Sequence, residues 1–337
     1  MKAETKILFI WKVKPELKKY LQTNLSVYPQ IKLIFPQFID NQKLKKSASG
    51  VDVIVGWRPT EEMLKNSEFS LFINPGAGVQ HLIKMFRKIR RNKEITLING
   101  HGNAYFTAQH ALALLLNLTN RIIDHHSWMK QGFWRTGDRE GASLPLRDRK
   151  IGLLGYGKVN SKVHQMLLAF EPKIYILRKH KNLLPHHPFK ELFDPRELNT
   201  FLTKIDTLFI ALPLTEKTEN LIGESEIKLL GKESLLVNIS RGKVVNEAAL
   251  YNCLKKGTIM AAAIDVWYNY KPLPDQNGKL YPFEFPFQEL DNVILSPHRA
   301  ASPFSDLKRW DDVIENIKRF HCSEKKLINV VDLDQGY

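Results

Sequence analysis

The stretch Ile151-Gly152-Leu153-Leu154-Gly155-Tyr156-Gly157-Lys158-Val159-Asn160 limits the fold more than any other part of the chain. An apolar run suited to a buried strand meets two glycines one residue apart, and the segment beyond them reads as a helix. A chain leaving a parallel strand in this way enters a helix whose N-terminal N–H groups and dipole favour an anion such as a pyrophosphate. Gly155 permits the tight turn, and Gly157 lets the backbone come close to the anion. The third glycine of the G-x-G-x-x-G pattern is Asn160 here, a change that bears on helix–strand packing more than on phosphate contact. Alone the motif is modest evidence of a nucleotide site, and the strand ends downstream of it carry the decision.

From Lys150 onward, strands are expected at 150–154, 173–177, 207–211, 235–239, 261–265 and 292–295, with helices between most of them. Six parallel strands with a glycine turn after the first describe a doubly wound dinucleotide fold. The first hundred residues alternate in the same manner. Strands are expected at 6–11, 32–35, 51–55, 71–73 and 95–99, and helices at 15–25 and 60–65. The reading is α/β: two Rossmann-like, doubly wound parallel-sheet domains with a cleft between them. Residues 1–104 plus 302–337 would form a flavodoxin-like substrate domain, its last helix over about 306–320, and 105–301 the dinucleotide-binding domain. A long apolar helix over 107–123 should be buried. The polar segment 125–149 carries Trp128, Phe133 and Trp134, which suit either an arm packed on a second subunit or an anchor to the chain's own core.

A length of 337 residues suits two compact domains, and 43% hydrophobic with 25% charged residues is ordinary for a globular protein. The formal charge of +15 is spread through every segment, without a nucleic-acid-reading motif, so a lysine-rich solvated surface is expected and no nucleic-acid partner. Two cysteines, Cys253 and Cys322, lack disulfide-framework or metal-ligand spacing. The longest apolar run, 111–118, is too short to cross a bilayer. No metal, no membrane association and a cytoplasmic location are expected.

The second predicted strand of the larger domain ends Leu177-Arg178-Lys179-His180. A site for NAD would place a carboxylate where Arg178 stands, whereas a guanidinium can bind a 2′-phosphate through charge-assisted hydrogen bonds. NADP(H) is therefore the expected preference, with NAD(H) possible, and with Lys179 or His180 assisting Arg178. Four more strand ends carry Ala211-Leu212-Pro213-Leu214-Thr215 with Thr218, Asn238-Ile239-Ser240-Arg241-Gly242, Asp265-Val266-Trp267, and Ser296-Pro297-His298-Arg299-Ala300.

By these signatures, P-L-T-x-x-T, N-x-S-R-G-x-V-V-N-E-x-A-L, D-V-W and D-N-V-I-L-S-P-H, the chain resembles the D-2-hydroxyacid dehydrogenase family, in its glyoxylate/hydroxypyruvate reductase-like branch. Ala77-Gly78-Val79 and Asn103-Ala104 continue the agreement into the first domain. The resemblance implies reduction of a 2-keto acid to a D-2-hydroxy acid. Arg241 would bind the substrate carboxylate and carbonyl, and His298 would exchange the proton as hydride leaves the nicotinamide. Ala77, Gly78 and Val79 would bind the carboxylate. Apart from the resemblance, Trp57 and Arg58 after the 51–55 strand suit either contact with the substrate's tail or a loop anchor and a surface charge. Thr107 and Asp265 would orient the nicotinamide. Gly155, Tyr156, Gly157, Lys158, Val159, Leu212, Pro213, Thr218, Ile239, Ser240, His298 and Ala300 would line the cofactor site. A homodimer is the family's common assembly.

One departure bears on the chemistry. The family pairs its catalytic histidine with a Glu a few residues after the D-V-W element, but this chain has Trp267-Tyr268-Asn269-Tyr270-Lys271 there. Tyr270 falls nearest the expected place, with Glu284 or Glu289 as other candidates. A phenol would orient the ring yet raise its pKa less than a carboxylate, so His298 should have a lowered pKa. The alternative function is a dinucleotide-binding sensor or scaffold with little turnover.

Overall fold

The computed structural model describes residues 4–37, 44, 46–65, 67–134, 141–180, 186–301, 306–324 and 326–337. The chain forms two compact units, one of residues 1–103 with 303–337 and the other of 104–302.

The first unit runs β1 (Thr5–Phe9), α1 (Pro15–Leu25), β2 (Ile31–Ile34), β3 (Val53–Val55), α2 (Glu61–Lys65), β4 (Leu71–Asn74), α3 (Gln80–Arg90) and β5 (Thr96–Asn99), and is completed by the C-terminal helix Asp311–His321. All five strands are parallel, in the order β2-β1-β3-β4-β5. That is the flavodoxin-like order. Strand alternation divides the core in two. Leu8, Ile54, Phe72 and Leu97 face one side and pack with Leu82 and Phe86 of α3. Ile7, Phe9, Val53, Val55, Leu71 and Ile98 face the other, against Leu17 and Leu21 of α1 and Val313 and Ile317 of the last helix. Leu17, Leu21 and Leu25 recur every four residues, so one stripe of α1 is buried. The edge of β5 is covered by the C-terminal segment: Val331 N donates to Leu97 O at 2.8 Å, and Arg90 pairs with Asp334 at 2.6 Å.

The second unit begins with α4 (Ala104–Asn120) and α5 (Ile122–Lys130). The apolar pattern predicts a single helix over 107–123, but Arg121 adopts a left-handed conformation (φ 51°) and breaks it. The apolar helix is also less enclosed than its composition implies, because Thr107, Ala108, Ala111, Leu114, Leu115 and Thr119 form one buried stripe while Ala113 on another face is exposed. The unit continues with β6 (Lys150–Leu154), α6 (Lys158–Leu167), β7 (Lys173–Leu177), β8 (Glu191–Phe193), α7 (Leu198–Thr203), β9 (Thr207–Ile210), α8 (Glu224–Leu230), β10 (Leu235–Asn238), α9 (Glu247–Lys255), β11 (Ala261–Ile264) and β12 (Val293–Leu295).

These seven strands are all parallel, in the order β12-β11-β10-β9-β6-β7-β8. The order reverses between β6 and β9, the place where doubly wound sheets bind ligands beyond their strand ends. The seventh strand, β8, is absent from the sequence-based expectation. It is three residues long and only Phe193 is buried, so it lacks the apolar run that marks the inner strands. Ile151, Leu153, Phe209 and Val237 face α4 and α6, while Leu154, Leu208, Leu236 and Ile264 face α7, α8 and α9.

Candidate active site

The glycine turn is built as its sequence implies. Gly155 has φ 81°, and its N–H donates to Leu177 O at 2.9 Å. A Cβ there would sit 2.7 Å from the carbonyl oxygen of Ala211 and 2.7 Å from Leu212 Cδ2, so this turn packs backbone against the end of β9. Gly157 is the N-cap of α6, has no side-chain cap, and has open space where a Cβ would be. The arrangement therefore fits a pyrophosphate: exposed helix N–H groups, a positive dipole end and room for close approach. Lys158 and Val159 open the helix. Asn160, in the third glycine's place, is fully buried and staples turn to helix, its Nδ2 donating to Gly155 O at 2.7 Å and Leu154 O at 3.3 Å.

Arg178 comes directly after β7. Its guanidinium lies 5.9 Å from the centre of the Tyr156 ring, whose hydroxyl is 2.9 Å from Nδ1 of the buried His164. Nε2 of His164 lies 2.9 Å from Pro188 O and so carries the proton, which leaves Nδ1 to accept from Tyr156. Lys179 is exposed beside it. After β9, Thr218 closes the Pro213–Thr218 loop. Its Oγ1 donates to Pro213 O at 2.6 Å and accepts from Thr215 N at 2.8 Å, so that hydroxyl serves the loop's own shape. Leu212 and Pro213 are half-buried there, and Ile239 and Ser240 are buried after β10.

Arg241 sits in a turn folded by Asn238, whose task the sequence pattern does not reveal. Asn238 Oδ1 accepts from Ser240 N at 3.1 Å and Ser240 Oγ at 2.7 Å, and its Nδ2 donates to Arg241 O at 3.3 Å. Gly242 comes next because a Cβ would lie within 2.4 Å of the Trp267 backbone. Burial pulls the Arg241 pKa down from its ordinary value, with the Tyr270 hydroxyl opposing. Nη1 donates to Ser240 O at 2.6 Å.

Asp265, after β11, is 1% exposed and holds the loop that carries His298. Its Oδ1 accepts from Ser296 Oγ at 2.5 Å and Arg299 N at 2.7 Å, and its Oδ2 from Ala300 N at 3.0 Å. His298 is thereby kept at φ 56°, a backbone region that a non-glycine residue enters only when its surroundings enforce it. His110, on α4, joins this group from 186 positions away, with Nε2 2.9 Å from Ser296 Oγ. No local signal in an apolar helix could have singled it out. Thr107 is buried one turn earlier on the same helix.

The hydroxyl of Tyr270 lies 2.7 Å from Nδ1 of His298 and accepts from Trp267 N at 3.3 Å. Neither Glu284 nor Glu289 makes that contact; the backbone N–H of Glu284 is held by Glu247 Oε1 at 2.5 Å. The protein packed around His298 disfavours its charge and lowers its pKa, with Asp265 opposing and Arg241 adding to the effect. Burial raises the pKa of Tyr270, so the phenol stays protonated at neutral pH. In the first unit, Ala77 and Gly78 form the turn between β4 and α3, and Val79 is the helix N-cap. Arg58 is exposed after β3, beside a half-buried Trp57 whose ring contacts Trp11 and Trp310 at 4.8 and 5.9 Å.

A profile described as "D-isomer specific 2-hydroxyacid dehydrogenase, NAD binding domain" matches residues 112–300, more than half of the chain. The chain belongs to this family. Similar D-2-hydroxyacid dehydrogenase sequences include a glyoxylate reductase of Aeropyrum pernix, 37% identical over 203 residues that cover 58% of this chain and 57% of that protein. A glyoxylate/hydroxypyruvate reductase of Arabidopsis thaliana is 28% identical over 295 residues, 86% of this chain and 84% of its own. A D-3-phosphoglycerate dehydrogenase of Archaeoglobus fulgidus is 32% identical over 216 residues, 62% of this chain. The chain thus aligns with only 57% and 37% of the Aeropyrum and Archaeoglobus proteins. Among solved structures, an NADPH-dependent glyoxylate/hydroxypyruvate reductase of Sinorhizobium meliloti superposes with TM-score 0.77 at 22% identity, over 99% of this chain and all of the other. That likeness shows the D-2-hydroxyacid dehydrogenase fold. Among the described residues no helix is long and apolar enough to cross a membrane, and no acidic, histidine or cysteine cluster could hold a metal.

Proposed function

We propose that the protein reduces a 2-keto acid of the glyoxylate/hydroxypyruvate type to a D-2-hydroxy acid, using NADPH in preference to NADH. The observation that carries this reading is a histidine held at one ring nitrogen by a phenol, at the end of a parallel sheet whose neighbouring strands β10 and β11 lead into Arg241 and Asp265. Family membership and the similarity to named glyoxylate reductases support it.

A nicotinamide dinucleotide would be held by the Gly155–Val159 turn, by Arg178 and Lys179 at its adenosine end, and along Leu212, Pro213, Thr218, Ile239, Ser240 and Ala300. When bound, it supplies hydride to the keto carbon. Arg241 pairs with the substrate carboxylate and polarises the carbonyl; a planar, always-charged fork suits both tasks, and its desolvation strengthens them. His298 gives the proton from Nε2 to the carbonyl oxygen, since Tyr270 occupies Nδ1. Asp265 keeps the His298 loop in place and, through its charge, favours the imidazolium. Backbone N–H groups at Ala77, Gly78 and Val79 bind the substrate carboxylate, and Arg58 faces the substrate's tail. Arg178 supports the choice of NADPH because a cation stands where a carboxylate would repel the 2′-phosphate. A homodimer is supported by the exposed apolar side chains Ile122, Ile123, Met129, Phe133 and Trp134.

The test is NADPH oxidation followed at 340 nm with glyoxylate, hydroxypyruvate, pyruvate and phenylpyruvate, and with NADH in parallel. Turnover that falls by roughly a thousandfold in Arg241→Ala is expected, as when a charge-stabilising donor is removed. In Arg178→Ala the NADPH advantage should shrink by roughly tenfold or more, the scale of a lost charge-assisted contact. Tight NADPH binding without turnover on any keto acid would favour a sensor or scaffold, a reading that the missing carboxylate partner of His298 supports.

A further inference from the structure

Asn74 and Asn99 end β4 and β5 and are direct partners in the parallel register. Both are buried, at 0% and 9% exposure. Asn74 Nδ2 donates to the carbonyl oxygens of Gly76 and Gly78, the second at 3.3 Å, and Asn99 Nδ2 donates to Ala77 O at 2.9 Å. Two side-chain amides therefore hold three consecutive carbonyls. In a trans peptide, the C=O of one residue and the N–H of the next share a plane and point in opposite directions. The N–H groups of Ala77, Gly78 and Val79 must then point away from the asparagines.

The Asn74 amide can sit only one way round, because the flipped form would set its oxygen against two carbonyl oxygens. That orientation leaves Oδ1 buried without a hydrogen-bond partner, a cost borne where the backbone turns. α3 starts immediately afterwards with no acidic residue in its first turn, so no carboxylate of its own competes for the positive helix end. Gly100 keeps the two strand ends together: its N–H donates to Asn74 O at 2.7 Å, and a Cβ on it would lie 2.4 Å from Pro75 O.

We propose that Asn74 and Asn99 are paired positioning residues that fix the Ala77–Val79 backbone as a ready-made carboxylate-binding turn. The inference rests on the keto-acid reading and assigns the recognition of the substrate's carboxylate to a preorganised set of dipoles. Fixed in advance, these donors need no reordering when the anion arrives, so their loss falls on substrate binding.

Asn74→Asp and Asn99→Asp replace the donor with an acceptor at nearly unchanged size. In the full chain each should raise the KM for the preferred keto acid and the Kd of oxamate, a carboxylate analogue, by about tenfold or more, with kcat within about threefold. The Kd of NADPH should stay within about twofold. Asn99→Ser keeps a donor with shorter reach and should give a smaller shift, which covers the case where an Asp variant does not fold. Unchanged oxamate binding in folded Asp variants would overturn the assignment. So would a fall in kcat and NADPH affinity in step with thermal stability, the signature of a merely structural pair. A wild-type protein that binds neither oxamate nor any keto acid would remove the keto-acid reading together with this one; normal wild-type binding with unmoved variants would remove this one alone.

Discussion

At Tyr270 a phenol contacts His298 where relatives of this fold are expected to use a carboxylate, and the two partners differ in what they permit. A carboxylate only accepts, so it fixes Nδ1–H and stabilises the imidazolium. A phenol can donate to a bare Nδ1 or accept from a protonated one, and it adds no charge. With desolvation lowering the His298 pKa, the neutral ring prevails at physiological pH. Reduction needs the imidazolium, so its kcat/KM should fall as pH rises through a value below the ordinary histidine figure of about 6.5. In Tyr270→Glu the new carboxylate favours the charged ring, and the falling limb should move to higher pH by about one unit or more. In Tyr270→Phe the limb should stay acid-shifted while kcat drops by about tenfold from lost ring orientation. A pH profile of keto-acid reduction in the three proteins measures this; a limb unmoved by Tyr270→Glu would sink the role. The position of Tyr270 could be read from its spacing to Trp267. The roles of Ser296 and His110 could not, since both depend on Asp265 lying at the end of a neighbouring strand.

At the scale of the element, the two glycines of the β6–α6 turn do different work. Gly155 meets the end of β9 and has positive φ, whereas Gly157 faces open space. Gly155→Ala should lower thermal stability, by roughly 1–3 kcal/mol for the strained backbone, and weaken NADPH binding as well. Gly157→Ala should leave the melting temperature nearly unchanged yet weaken NADPH by about tenfold, because its methyl group occupies the space the pyrophosphate needs. Thermal melts alongside fluorescence titration separate the two; equal effects on both variants would contradict the division. The motif's position was legible from the sequence, and so were most strands of both sheets, because parallel strands covered on both faces read as continuous apolar runs. The edge strand β8 and the break at Arg121 were not. The first has a single buried side chain, and the second rests on one left-handed residue of a type that gives no such warning.

For the whole molecule, a charge of +15 accompanies an exposed apolar face on and after α5. Ile122, Ile123 and Met129 are each at least half exposed there, which is costly for a helix left in water. Light scattering after size exclusion should give twice the monomer mass, and Ile123→Glu combined with Met129→Glu should reduce it to the monomer. A monomeric wild type would refute that assembly. The sequence by itself determined the fold class, the glycine turn and the strand ends that carry Arg241, Asp265 and His298, because hydrophobic periodicity and turn chemistry are local properties. Only the tertiary structure decided that Asp265 grips the histidine loop, that His110 reaches Ser296, and that Asn74 and Asn99 hold three carbonyls between them. Those contacts join segments far apart in the chain, and their partners depend on strand order and register, which local pattern leaves open.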